Sequence, residues 1–138
     1  MKKVVVIDGQ GGKIGTGVIA ALRESGVPMH ITAIGTNSAA TANMLKSQPD
    51  AAATGENPVL VACRRADVIA GPIGIVIADS LFGEITPGMA LAVGQSSAAR
   101  VLIPVNKCDS IVVGCEDLPL AVLIRDAVSC VLDILEND

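Results

Sequence analysis

The stretch Lys3 to Gly15, KVVVIDGQGGKIG, decides how this chain folds. Its first part, Lys3 to Ile7, is a continuous β-branched run without polar alternation, the pattern of a strand buried on both faces. Its second part, Asp8 to Gly15, carries Gly9, Gly11, Gly12 and Gly15. Behind it Ile14, Val18 and Leu22 recur at four-residue spacing with Ile19 beside them, and Gly26 and Pro28 follow as stop signals. That pattern predicts an amphipathic helix. In a strand, glycine turn and helix arranged in this order, backbone N–H groups and the helix amino terminus converge on one point, where a phosphate fits. Gly9 reads as the residue that allows the tight turn. Gly11 and Gly12 read as removing side chains that would block a pyrophosphate, and Gly15 as letting the helix pack close to the sheet. Gln10, Lys13 and Ile14 complete the candidate binding loop, Lys13 adding a positive charge beside the helix start. Taken over Gly9, Gly11 and Gly15 the spacing is G-x-G-x-x-x-G, one residue longer than the usual dinucleotide fingerprint. A purely structural βα turn is the competing reading, although one turn rarely needs four glycines.

The same alternation continues outward. His30 to Ile34 reads as a second strand, followed by an alanine-rich helix from a Ser38 cap to a stop before Pro49. Ala51 to Ala53 is a weak third strand, and Asn57-Pro58 opens a helix to about Arg65. Asp67 to Ala70 is a fourth strand ending at Gly71-Pro72. The pattern from Ile73 to Phe82 is apolar and ambiguous, Thr86-Pro87 starts a helix through about Ala98, and Val101 to Val105 is a fifth strand. Ile111 to Val113 is read as a short sixth. In the last helix Leu120, Leu123, Ile124, Ala127, Val128, Val131, Ile134 and Leu135 share one face, opposite Arg125, Asp126, Asp133 and Glu136. The expectation is a single domain over residues 1–138. Its class is α/β, a three-layer, Rossmann-like, doubly wound and mainly parallel sheet of five or six strands, with Rossmann-like and flavodoxin-like strand orders both compatible. Any ligand crevice then lies beyond the carboxyl ends of the strands.

Those ends supply the remaining candidates. The second strand runs into Gly35-Thr36-Asn37-Ser38, without the acidic residue that an NAD-binding fold usually places there. Thr36, Asn37 and Ser38 are read either as partners of an adenosine ribose or its 2′-phosphate, or as turn and cap residues. Gly71 and Pro72 would let backbone approach a ligand at the fourth strand. Asn106-Lys107-Cys108-Asp109 spells N-K-x-D and resembles the guanine-specificity motif of P-loop GTPases. The phosphate end departs from that pattern, because Lys13 is followed by Ile14 with no hydroxyl to hold magnesium. A receiver-domain likeness, with Asp8 after strand one and Lys107 after strand five, fails at Thr54, where the phospho-accepting aspartate would stand.

Composition narrows the function classes. The 138 residues are 51% apolar and 17% charged, with a net charge of −4, enough for one domain with a single core. The acidic balance and a lone aromatic, Phe82, leave neither an electrostatic footprint nor a stacking platform for nucleic acid. Basic groups gather early: residues 1 to 69 hold seven basic and five acidic side chains, and 70 to 138 hold three and nine. The apolar uncharged stretches Val68 to Ala78 and Ile85 to Ala99 fall short of the roughly 20 residues of a spanning helix, and Asp8 interrupts any signal-like start, so a cytoplasmic protein is expected. Cys63, Cys108, Cys115 and Cys130 lack a C-x-x-C pair and His30 is the single histidine, so no metal is expected and the thiols read as buried or semi-buried. Asp79, Glu84 and Glu56 are carboxylates near glycine or apolar stretches, each equally readable as a cap or a solvated charge.

Together DGQGGKIG, IGTNSAAT, ATGEN, GPIGIVIADSLFGEITPGMA and IPVNKC resemble, over nearly the whole chain, a small bacterial family described only as a domain of unknown function. The resemblance implies a compact Rossmann-like protein and brings no catalytic residues with it. The expectation drawn from the site is a nucleotide-binding protein, NAD(P) first, with Gly9 to Gly15 at the pyrophosphate and Thr36 to Ser38 at the adenosine ribose. As an enzyme it would be an NAD(P)-dependent oxidoreductase or its cofactor-binding subunit. The alternative is a non-catalytic sensor or regulatory subunit for a phosphorylated metabolite. The apolar segment Pro72 to Ile85 is expected near the contact of a homodimer or larger assembly.

Overall fold

In the computed structural model, which describes residues 1–105 and 109–137, five strands form one parallel sheet. They are β1 (Lys3–Asp8), β2 (His30–Gly35), β3 (Ala51–Thr54), β4 (Val68–Pro72) and β5 (Ala99–Ile103). Their order is β3-β2-β1-β4-β5, so of the two orders compatible with the sequence the Rossmann one is realised. β1 is central, paired with β2 from Lys3 opposite His30 to Asp8 opposite Gly35, and with β4 from Val4 opposite Val68 to Val6 opposite Ala70. The chain reverses direction across the sheet between β1 and β4, which makes their carboxyl ends the switch point.

Helices cover both faces. α1 (Lys13–Glu24) packs against α2 (Ser38–Leu45) and α5 (Leu120–Glu136) on one side, and α3 (Glu56–Cys63) packs against α4 (Pro87–Gln95) on the other. The β1 run shows why its pattern is continuous. Val4 and Val6 enter the core with Ile14, Val18, Leu22 and Val131, whereas Val5 and Ile7 enter the opposite core with Val59, Ile75, Ile85 and Val93. α5 buries Ala127, Val128 and Val131 and packs Leu120, Leu123, Ile124, Ile134 and Leu135 against the same core, the face its spacing predicts.

Several details differ from the sequence reading. Asn37, not Ser38, caps α2: its side chain accepts a hydrogen bond from the Ala40 N–H, while Ser38 is exposed at the first helical position. α3 starts one residue before Asn57, from Gly55 at φ 105°. α4 ends at Gln95 and β5 begins at Ala99, because Ser96 turns extended and its hydroxyl donates to Cys63 O while accepting from Ala98 N. The sixth strand expected at Ile111 to Val113 is not formed; Ile111 and Val113 are 90% and 94% exposed, with no neighbouring strand to pair. The ambiguous stretch after β4 is a single 3₁₀ turn, Ile73–Val76, followed by a tight loop.

Candidate functional site

The glycine turn leaves β1 at Asp8, whose carboxylate is 4% exposed and folds back beneath the turn. It accepts from Gly9 N at 2.8 Å and from Gly15 N at 2.7 Å, so a protein carboxylate already complements the start of α1. Burial raises the Asp8 pKa above the ordinary carboxylate value, and the Gly15, Gly9 and Ile14 N–H groups offset part of that rise. Gly12 closes the turn, donating to Gly9 O at 2.9 Å. Among the described residues the N–H groups of Gly11 and Lys13 have no protein acceptor. Both residues are exposed.

Above these groups lies a cavity of about 320 Å³ lined by Asp8, the whole turn from Gly9 to Ile14, Pro72, Leu81, Val105 and Leu120. It sits at the β1/β4 switch point, with backbone donors along one wall and apolar side chains along the other. A larger groove of about 550 Å³ runs between α3 and α4, past Leu60, Cys63, Arg64, Leu91 and Gln95. It lies on a helical face away from the strand ends, and burial pushes the Cys63 thiol in it up to about 11, far from reactive. The smaller cavity is therefore the candidate site.

Contacts within the fold give several of these glycines a role beside the one the sequence suggests. A Cβ on Gly9 would stand 2.7 Å from Thr36 Oγ1 and 2.9 Å from Glu84 Oε1; the position accommodates a crossing side chain, not a turn conformation. Gly12 is left-handed, at φ 71°, as is Gln10 at φ 51°, and a Cβ on Gly12 would meet Ala40 O at 2.7 Å. Gly15 gives way to Met44 of α2 and to Asp8 Cβ, so the close approach at the helix start involves the neighbouring helix as well as the sheet. Gly71 lies against the Ile7 carbonyl oxygen, which fixes its smallness by strand packing without reference to a ligand. Of the glycines in the turn, Gly11 alone faces open space.

At the end of β2 the structure brings in a residue from far along the chain. Glu84 Oε1 accepts from Gln10 N at 2.9 Å, from Thr36 Oγ1 at 2.6 Å and from Asn37 Nδ2 at 2.8 Å. Asn37 Nδ2 also donates to Gln10 O, and Asn43 of α2 donates to Gly11 O at 2.7 Å. Burial pushes the Glu84 pKa up, but the bonds from Thr36, Gln10 and Asn37 outweigh it and hold the carboxyl below its ordinary value. The donors of Thr36 and Asn37 are thus turned on Glu84. Of the remaining candidates, Asn106, Lys107 and Cys108 lie outside the described residues, and Asp109 is exposed with φ 62°. Sequence reasoning left out Asp8, Leu81, Val105 and Leu120 from the site, and gave Glu84 no partner. Among the described residues no cluster of metal-ligating side chains forms and no helix is long and apolar enough to cross a membrane.

A doubly wound parallel sheet with a glycine turn at its switch point defines a Rossmann-type α/β domain. Within that class, the chain belongs to the DUF3842 family, a domain of unknown function, whose sequence profile matches residues 3–136. No curated protein matches the sequence. Among solved structures it is similar to a dodecameric FMN-dependent UbiX-like decarboxylase from Escherichia coli O157:H7, at 16% identity and a TM-score of 0.49, over 99% of this chain and 94% of that one.

Proposed function

We propose that this protein binds a nucleotide at the β1/β4 switch point, with its phosphate on the Gly11 and Lys13 N–H groups and its remaining half in the cavity beneath Pro72, Leu81, Val105 and Leu120. The observation that carries the reading is the conjunction of unpaired backbone donors at a helix start with a cavity at the switch point of a Rossmann-ordered sheet. Lys13, exposed at the first position of α1, adds a cation beside the phosphate. A volume of about 320 Å³ is at the low end for small-molecule sites. It takes a mononucleotide, or one half of NAD(P) with the adenosine lying across Gly9 and Gln10 toward Thr36 to Ser38. The same small volume favours the second reading, a sensor for a phosphorylated metabolite. Calorimetric titration with NAD, NADP, AMP, FMN, GTP and inorganic phosphate tests the proposal. Micromolar binding of at least one nucleotide supports it, and binding of none overturns it. Binding without turnover, for any nucleotide bound, supports the sensor.

The same edge carries an assembly proposal. Phe82, the chain's single aromatic residue, is 96% exposed at the tip of the loop that forms the site's rim, and a second copy is proposed to cover it. Light scattering at micromolar concentration is expected to give a dimer or larger; a monomer contradicts this.

A further inference from the structure

The loop from Ile77 to Thr86 is built to deliver Glu84 to the far side of the glycine turn. It is closed by Asp79 N to Ile85 O at 2.7 Å, Gly83 N to Asp79 O at 3.1 Å and Glu84 N to Leu81 O at 3.1 Å. Asp79, Leu81, Phe82 and Gly83 all take left-handed backbone angles, between φ 55° and 83°, conformations that L-residues hold only when the surroundings impose them. The loop starts beyond β4, yet its carboxylate reaches past the end of β1 to Thr36 and Asn37 at the end of β2. Gly9 has no side chain at the crossing point. Oε1 takes all three protein donors, and among the described residues Oε2 has none.

An ionised carboxylate at the end of the second strand, with one oxygen unengaged, accepts hydrogen bonds from hydroxyl groups and repels a phosphate. The sequence places no acidic residue on this strand; the fold supplies one from 48 positions away from Thr36. We infer that Glu84 reads the ligand's ribose, accepting a hydrogen bond from a 2′- or 3′-hydroxyl and excluding a 2′-phosphate. This rests on the nucleotide reading above and sharpens it toward NAD against NADP.

Calorimetry of the wild-type chain with NAD, NADP and 2′-deoxy-NAD tests it without altering the fold. NAD is expected to bind at least ten-fold more tightly than NADP and several-fold more tightly than the deoxy analogue. In E84Q the amide oxygen still accepts from Gln10, Thr36 and Asn37 while the charge is gone, so the NAD to NADP ratio falls toward one. Equal wild-type affinities for NAD and NADP, an unchanged ratio in E84Q, or tighter NAD binding by E84Q overturns the inference and leaves nucleotide binding standing; the last result makes Glu84 a plug on the turn. Wild-type protein that binds no nucleotide overturns both.

Discussion

Gly11 and Gly12 are adjacent and chemically identical, yet their surroundings give them separate roles. Gly12 holds a left-handed angle with Ala40 O 2.7 Å from where a Cβ would stand, so Gly12→Ala is expected to lose about 1 to 3 kcal/mol of stability, measured by urea unfolding. Gly11 faces open space. Gly11→Asp is expected to leave the unfolding free energy within about 0.5 kcal/mol of wild type and to weaken the proposed nucleotide binding at least ten-fold, by setting a negative charge where the phosphate is proposed to sit. The sequence shows that glycines are needed here; it does not show which neighbour makes each one necessary. Gly9 is the clearest case, since the side chain it makes room for lies 75 positions downstream, in a loop with no periodic pattern.

The two carboxylates at the turn titrate in opposite senses. Glu84 has a folded pKa below the ordinary glutamate value, so its contribution to stability is present above that ordinary value and is lost as the pH falls through the lower folded value. Asp8 has a folded pKa above 3.8, so its relative contribution is greatest below 3.8 and declines as the pH rises through the higher folded value. Urea midpoints measured from about pH 7 down to about pH 3 are therefore expected to fall less steeply on the acid side in Glu84→Gln than in wild type. An identical slope would remove Glu84 from the stabilising network.

At the scale of elements, the contrast between α4 and the 77–86 loop shows what pattern reading reaches. α4 starts where Thr86-Pro87 signals, with Thr86 Oγ1 accepting from Met89 N, because capping is a local interaction and leaves a local signature. The loop before it has no such signature: its angles are imposed by contacts of Leu81, Ser80 and Glu84 with the rest of the fold. Two glycine substitutions separate the cases. Gly83→Ala, at φ 83°, is expected to cost about 1 kcal/mol. Gly94→Ala, inside α4 with open space around it, is expected to stabilise by about 0.5 to 1 kcal/mol. Both are read from thermal or urea unfolding.

At the scale of the molecule, strand types and helix faces were legible because each depends on burial periodicity. β1 and β4, apolar without alternation, are buried on both faces. β3, weak in sequence, is an edge strand whose end residues Ala51 and Thr54 are exposed and whose middle pair is partly buried. The strand order was not legible, since parallel pairing leaves no local mark. The expected sixth strand is absent: the three residues at 111–113 join neither free edge of the sheet, and Ile111 and Val113 stay exposed. The candidate site was half legible: the glycine turn follows from one contiguous segment, whereas the apolar wall is assembled from β4, the 77–86 loop, the residues just beyond β5 and the start of α5. Such convergence is a property of topology.

The central claim, that a nucleotide sits on the turn at the switch point, is tested most directly by following backbone amide resonances of ¹⁵N-labelled protein during titration with NAD. The largest shifts are predicted at Gly11 and Lys13, with smaller ones at Gln10, Leu81 and Leu120. An absence of shifts at saturating NAD, or shifts confined to the groove between Leu60 and Leu91, would contradict it.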